Sequence, residues 1–167
     1  MLFRSRLIEL LNPFNVDVLV HDPYAPEVLA NSLDFTFTGL DKVLSTPDVV
    51  VCLVPLTPRT KGMLGREQIE LLRSGSVFVN VSRGAVVDSE ALIRRLEQND
   101  MIACLDVFDP EPIPTDSKIR ELSNVFLTPH IAGTTMRSRT RFFEEMVSEL
   151  ERHFAGHETR HNLTTST

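Results

Sequence analysis

The sequence predicts an α/β fold, a mainly parallel and doubly wound sheet. Short runs rich in β-branched residues are stopped by turn formers, and most are continuously apolar, as strands covered on both faces are. Between these runs lie segments with apolar residues at helical spacing, so strand and helix alternate along the chain as in successive βαβ units.

The first helical pattern is the apolar cluster Leu7, Ile8, Leu10 and Leu11, which Asn12-Pro13 ends. A strand is expected over Val16 to Val20, a minor one over Phe35 to Phe37, and another over Val49 to Val54. Ile69, Leu71 and Leu72 follow a polar Arg66-Glu67-Gln68 start and read as a helix. The strand Val77 to Val81 comes next. Asp88-Ser89 then offers an N-cap to a helix carrying Ala91, Leu92 and Leu96. Strands are expected over Ile102 to Val107 and Val125 to Thr128. The longest helix runs from about Thr135 to Phe154; Phe142, Phe143, Met146, Val147, Leu150 and Phe154 give it one apolar face, and Gly156 stops it. His161 to Thr167 is polar and expected to fray.

The 167 residues suffice for one ordinary core, and 42% hydrophobic with 24% charged residues is the composition of a globular chain. Seventeen Lys and Arg against 23 Asp and Glu leave a net charge of -6, which disfavours a nucleic-acid partner. The longest apolar run, Val49 to Leu56, is far below the roughly 18 to 20 residues that cross a bilayer, and the N-terminus has no signal pattern. A soluble, cytoplasmic protein without membrane contact is expected. Cys52 and Cys104 sit inside apolar runs and read as core thiols; no metal site is expected.

In doubly wound sheets ligands lie outside the carboxyl ends of the strands, so the residues after each strand come first. His21-Asp22-Pro23-Tyr24 follows the first strand. An acid there accepts hydrogen bonds from adenosine ribose hydroxyls in a dinucleotide site, or else caps a turn. Pro55-Leu56-Thr57-Pro58-Arg59-Thr60 and Ser82-Arg83-Gly84 follow the next two. Arg83 beside a glycine is either a fork of donors for a carboxylate or a solvated surface residue. Phe108-Asp109-Pro110-Glu111-Pro112 and Pro129-His130-Ile131-Ala132-Gly133 complete the set, His130 being a catalytic candidate or a structural histidine.

Taken together, Val20 to Tyr24, Val54 to Gly62, Val79 to Asp88, Leu105 to Phe108 with Glu111-Pro112, and Thr128 to Thr135 resemble the NAD-binding domain of the D-isomer-specific 2-hydroxyacid dehydrogenases. That superfamily contains phosphoglycerate dehydrogenase and glyoxylate/hydroxypyruvate reductase. The likeness runs in order from about Arg6 to about Leu163. It implies a Rossmann-like fold and NAD-dependent oxidation or reduction of a D-2-hydroxy acid or 2-oxo acid by hydride transfer. Arg83 matches the arginine that binds the substrate carboxylate, His130 the general acid/base, and Glu111 the acid that pairs with it and fixes the ring. Asp22 matches the ribose acid and Asp106 the acid that holds the nicotinamide carboxamide, while Pro55, Thr60, Ser82 and Gly133 match positions lining the dinucleotide groove. No Arg or Lys directly follows Asp22, so NAD is expected over NADP. A homodimer is expected if the family's full architecture is present.

The sequence departs from that family at its start. A dinucleotide site needs a first strand and a Gly-x-Gly-x-x-Gly turn, and this chain has no glycine before Gly39. Alignment through Leu10 to Phe14 puts the third fingerprint glycine near Arg4 and the second near Met1. The expectation is a partial NAD-binding domain over 1–156, lacking the first strand and the glycine turn, and a tail over 157–167 that in the family returns to a substrate domain. In the strand order 3-2-1-4-5-6 the lacking strand is the central one, so the strands at Val16 and Val49 are expected to lose their common neighbour. Low stability of the isolated chain follows as an expectation. The alternative to an enzyme is an inactive remnant of the fold, or a non-catalytic dimerisation or dinucleotide-sensing module.

Overall fold

The structure is a computed structural model that describes residues 2–160; the expectations for Met1 and for His161 to Thr167 lie outside the described residues. The chain divides into two compact units, with the division between His130 and Ile131.

The first unit opens with α1 (Leu2–Leu11), which the expected Asn12-Pro13 ends in a short 3-10 turn, Asn12–Phe14. Alternation follows: β1 (Leu19–Val20), α2 (Val28–Leu33), β2 (Thr36–Phe37), α3 (Leu40–Ser45), β3 (Val49–Cys52), α4 (Arg66–Glu70), β4 (Val77–Asn80), α5 (Ser89–Leu96), β5 (Ile102–Leu105) and β6 (Val125–Leu127). All strand pairs are parallel. They form two separate sheets, a pair β1-β2 and a four-stranded β3-β4-β5-β6. No described strand joins β1 to β3, which is the break expected where the central strand of this topology lies.

The break has a local consequence. Of the expected strand Val16 to Val20 only Leu19–Val20 is regular, because β1 has a ladder partner on one side alone. β2 begins one residue later than expected, at Thr36; the four strands of the larger sheet begin at the expected residues and end one or two residues early, where the chain turns into the loops that carry polar groups.

Strand register sorts the side chains by face. Val50, Phe78 and Ala103 lie in one row and Cys52, Asn80 and Leu105 in the next, all buried. Leu44 of α3, Ile69 of α4 and Ala91, Leu92 and Leu96 of α5 pack onto that face. Phe78, Ile69 and Leu96 are fully buried, each worth roughly 1.5–3 kcal/mol by transfer; Phe78→Ala costs about 3–5 kcal/mol once the cavity is included. The opposite row differs from the expectation of two covered faces: within this unit Val49, Val51, Ile102 and Phe126 are exposed. Of the two cysteines, Cys52 is buried as expected and Cys104, on the opposite row, is half-buried.

The expected caps are present. Asp88 Oδ1 accepts from the Ala91 N–H at 2.9 Å and starts α5, a contact worth about 1 kcal/mol. Arg95, buried in the last turn of α5, donates to the Leu72 carbonyl at 2.9 Å and pairs with Asp100, tying the segment after α4 to the turn before β5.

The second unit is the long helix α6 (Met136–Phe154) with its flanks. Thr135 caps it: its hydroxyl accepts from the Ser138 N–H at 3.0 Å, and the Ser138 hydroxyl accepts from the Thr135 N–H at 2.9 Å. Gly156, at φ +75°, supplies the left-handed residue just beyond its end, as the sequence predicts.

Candidate active site

The polar residues singled out after β4, β5 and β6 lie at one edge of the four-stranded sheet, because the strands are parallel and each residue directly follows a strand's carboxyl end. β5 delivers Asp106, which is buried. β6 delivers Thr128, whose hydroxyl donates to Asp106 Oδ1 at 2.5 Å. Two residues on, the His130 N–H donates to the Asp106 carbonyl at 3.0 Å and to the Thr128 carbonyl at 3.1 Å. These bonds hold His130 at φ 54°, a left-handed conformation uncommon outside glycine that costs on the order of 1–3 kcal/mol. The strain sits at the histidine that the sequence singles out as the acid/base candidate.

His130 Nδ1 and Glu111 Oε1 are 2.7 Å apart, and each side chain is exposed by a little over two-fifths (44% and 42%). An ionised carboxylate only accepts, so Nδ1 is the donor and Nε2 is the ring nitrogen left to exchange a proton. Asp106, Phe108, Glu111, Ile113, Leu127 and His130 line one cavity of about 320 Å³.

Arg83 stands at the same edge of the sheet, after β4, but outside that cavity's lining. Its Nη1 donates to the Ser82 carbonyl at 2.6 Å. The turn that holds it is shaped by Asn80, a buried side chain whose Oδ1 accepts from the Ser82 N–H at 3.0 Å and the Ser82 hydroxyl at 2.9 Å, and whose Nδ2 donates to the Arg83 carbonyl at 3.3 Å. Gly84 is required by closeness. A β-carbon there would lie 2.0 Å from the Phe108 carbonyl oxygen. The Arg83 turn therefore rests on the backbone that leads to Glu111.

On the other sheet, Asp22 follows β1 and lines a cavity of about 390 Å³ with His21, Pro23, Phe37, Thr38 and Gly39. Its Oδ1 accepts from the Tyr24 N–H at 3.0 Å, a turn bond that matches the capping alternative, and its Oδ2 pairs with Arg4 Nη1 at 2.5 Å. Tyr24 continues the chain of contacts: Arg59 Nη1, from the loop after β3, donates to its hydroxyl at 2.9 Å. In that loop Thr60 donates its hydroxyl to the Pro55 carbonyl at 2.6 Å and accepts from the Thr57 N–H at 2.8 Å, so Pro55 and Thr60 close one tight turn. Ser82 is buried, with its hydroxyl also 3.4 Å from Cys52 Sγ. Gly133 belongs to the second unit, where its carbonyl accepts from the Ser138 hydroxyl at 2.7 Å.

The structure thus brings Asp106, Glu111 and His130 into one cavity, puts Asp22 in another, and leaves Arg83 at the first cavity's edge of the sheet. It adds residues that sequence reasoning passed over. The Asn80-x-Ser82 spacing is an Asx-turn signal that was available. Arg4 and Arg59 reach Asp22 and Tyr24 across 18 and 35 residues, a separation no local pattern reveals.

Residues 5–132 match the family described as D-isomer specific 2-hydroxyacid dehydrogenase, NAD binding domain. The chain is 37% identical over 153 residues to a mitochondrial formate dehydrogenase of Solanum tuberosum, covering 90% of this chain and 40% of that protein. It is 39% identical over 137 residues to a glyoxylate reductase of Korarchaeum cryptofilum, covering 81% and 41%. Among solved structures, the NAD-complexed D-isomer specific 2-hydroxyacid dehydrogenase of Lactobacillus delbrueckii ssp. bulgaricus superposes with a TM-score of 0.87 at 26% identity, over 96% of this chain and 52% of that one. The chain spans about half the length of these proteins or somewhat less. With the match running from the first helix through His130, and with parallel strands flanked by helices beneath it, the chain belongs to the family of D-isomer specific 2-hydroxyacid dehydrogenase NAD-binding domains.

Proposed function

We propose that this chain carries the NAD-binding part of a D-2-hydroxyacid dehydrogenase, which interconverts a small D-2-hydroxy acid and its 2-oxo acid. The 2.7 Å contact between His130 Nδ1 and Glu111 Oε1, in a cavity shared with Asp106, carries the reading. The residues present fit the two ends of a dinucleotide, with no glycine turn for its pyrophosphate among them: a carboxylate lines the cavity after β1, and a second, buried one lines the cavity after β5, the strand ends where such ligands lie in open α/β sheets. Asp22 would hold the ribose hydroxyls and Asp106 the carboxamide, with Pro55, Thr60 and Ser82 along the groove. The nicotinamide, when bound, supplies or accepts the hydride.

The chain's own residues do the rest. Glu111 accepts the Nδ1 hydrogen bond and so orients the ring and fixes its tautomer. His130 Nε2 gives a proton to the carbonyl oxygen during reduction and takes it from the hydroxyl during oxidation. Arg83 binds the substrate carboxylate through its planar fork, after its Nη1 leaves the Ser82 carbonyl. A cytoplasmic location, supported by two free thiols, and a homodimer belong to the same reading.

The test is reduction of glyoxylate and longer 2-oxo acids by NADH, followed by loss of NADH absorbance. Turnover that falls by roughly 10²- to 10⁴-fold in His130→Gln is expected. Equal rates in wild type and His130→Gln would refute the acid/base assignment. A second reading, dinucleotide binding without turnover, is favoured by the Arg83 side chain lying against Ser82 and outside the cavity lining. NADH binding with no turnover of any 2-oxo acid selects it.

A further inference from the structure

An aspartate at the adenosine end of a dinucleotide site ordinarily does two things: it accepts bonds from the ribose hydroxyls, and its charge repels a 2′-phosphate. The surroundings of Asp22 change the second. Arg4 Nη1 lies 2.5 Å from Asp22 Oδ2, with the Asp22 side chain 9% exposed and that of Arg4 34% exposed, so the carboxylate is shielded while the guanidinium still reaches solvent. Arg59 Nη1 lies 2.9 Å from the hydroxyl of Tyr24, two residues beyond. The cavity itself adds one further carboxylate, Glu27. Arg4 does not line the cavity but is bound to a residue that does, so one guanidinium offsets one of its two carboxylates, and Arg59 stands beyond Tyr24. A guanidinium offers five N–H donors in a fork that suits phosphate oxygens, and the bond to Asp22 engages only Nη1 of Arg4.

We propose that the adenosine pocket beside Asp22 accepts a 2′-phosphorylated nucleotide as well as an unphosphorylated one, with Arg4 as the specificity-determining residue and Arg59 in support. The inference rests on the reading above that this cavity takes the adenosine half of the dinucleotide. It extends the expectation from the Asp22-Pro23-Tyr24 motif, where no cation follows the acid: the cations come from α1 and from the loop after β3 instead. Arg4 neutralises the charge that would turn the phosphate away and presents its remaining donors to it.

The experiment is calorimetric titration of the full chain with adenosine 2′,5′-bisphosphate and with 5′-AMP, under one buffer and salt condition. This reads the adenosine half alone and needs no turnover. The bisphosphate is expected to bind at least as tightly as AMP. Arg4→Gln is expected to weaken the bisphosphate tenfold or more while moving AMP by less than threefold, and Arg59→Gln to weaken the bisphosphate severalfold. Arg4→Gln also strips Asp22 of its partner, so Arg4→Lys, which keeps the charge and loses the fork, guards against a folding artefact and is expected to fall in between. Wild-type binding of the bisphosphate tenfold weaker than AMP overturns the proposal and leaves the adenosine site standing. Binding of neither nucleotide overturns both.

Discussion

Replacing Gly84 with alanine places a methyl carbon 2.0 Å from the Phe108 carbonyl oxygen, 2.1 Å from its carbon and 2.7 Å from the Asp109 nitrogen. Three backbone atoms stand in the way, so no side-chain rotation relieves the clash. Gly84 is buried and packed between the loop after β4 and the loop after β5, and one of the two backbones must move by more than an ångström. Overpacking a well-filled site costs typically 1–3 kcal/mol, occasionally more; with backbone as the obstacle, about 3 kcal/mol is expected. That is a large part of a net stability of about 5–15 kcal/mol. With a urea slope of about 2 kcal/mol/M, the midpoint of unfolding should fall by roughly 1.5 M at unchanged slope. The assay is a urea titration followed by circular dichroism on wild type and Gly84→Ala side by side. A midpoint shift corresponding to less than about 0.5 kcal/mol, the scale of an inconsequential surface change, would refute the close approach of the two loops.

Asn80→Ala removes the acceptor for the Ser82 N–H and hydroxyl and should cost about 1–3 kcal/mol, read as a lower urea midpoint; Asn80→Asp, which keeps that acceptor, should recover part of it. The Arg95 hydrogen bond, followed by that of the Ser74 hydroxyl, holds the Asp100 carboxyl below its ordinary value of 3.8. A carboxylate depressed in the folded state contributes stability that is present above its unfolded value and is lost as pH falls through its folded one. An acid titration of unfolding should accordingly show Asp100→Asn losing less stability than wild type below about pH 4, and parallel acid limbs would contradict this. Arg83→Lys trades a planar fork for a point charge, and kcat/KM for a 2-oxo acid should drop by roughly 10- to 100-fold in the assay proposed for His130→Gln.

The four strands of the larger sheet were legible because Val49, Val77, Ile102 and Val125 each stand at or within one residue of the start of an apolar run behind a polar or turn segment, and all four strands start at these residues. Their faces were not. An uninterrupted run such as Val49-Val50-Val51-Cys52 reads as covered on both sides, whereas in the first unit only Val50 and Cys52 are buried. Apolar composition records the chemistry of a face and carries no information on what covers it. The break between β1 and β3 was legible because no glycine turn precedes Gly39 in this sequence, and the strand that leads into such a turn is the central one of this topology. His130 and Glu111 were read from their motifs, and the 2.7 Å distance agrees. The left-handed backbone of His130 was not, because it is imposed by two carbonyls, those of Asp106 and Thr128, that converge only after β5 and β6 are paired. Arg4 went unread for the same reason: its partner is close in space and a helix and a strand away in sequence.

The separation of the chain's strands into a pair and a quartet has one more implication, for the linkage between ligand and fold. The cavity beside Asp22 is anchored on the pair and the one beside His130 on the quartet, and no described strand ties one ladder to the other. An extended molecule gripping both cavities would act as a clasp, so its chemical potential would enter the melting equilibrium directly: a hundredfold excess over its dissociation constant adds about 2.7 kcal/mol. Saturation would then decide how much of the population is whole.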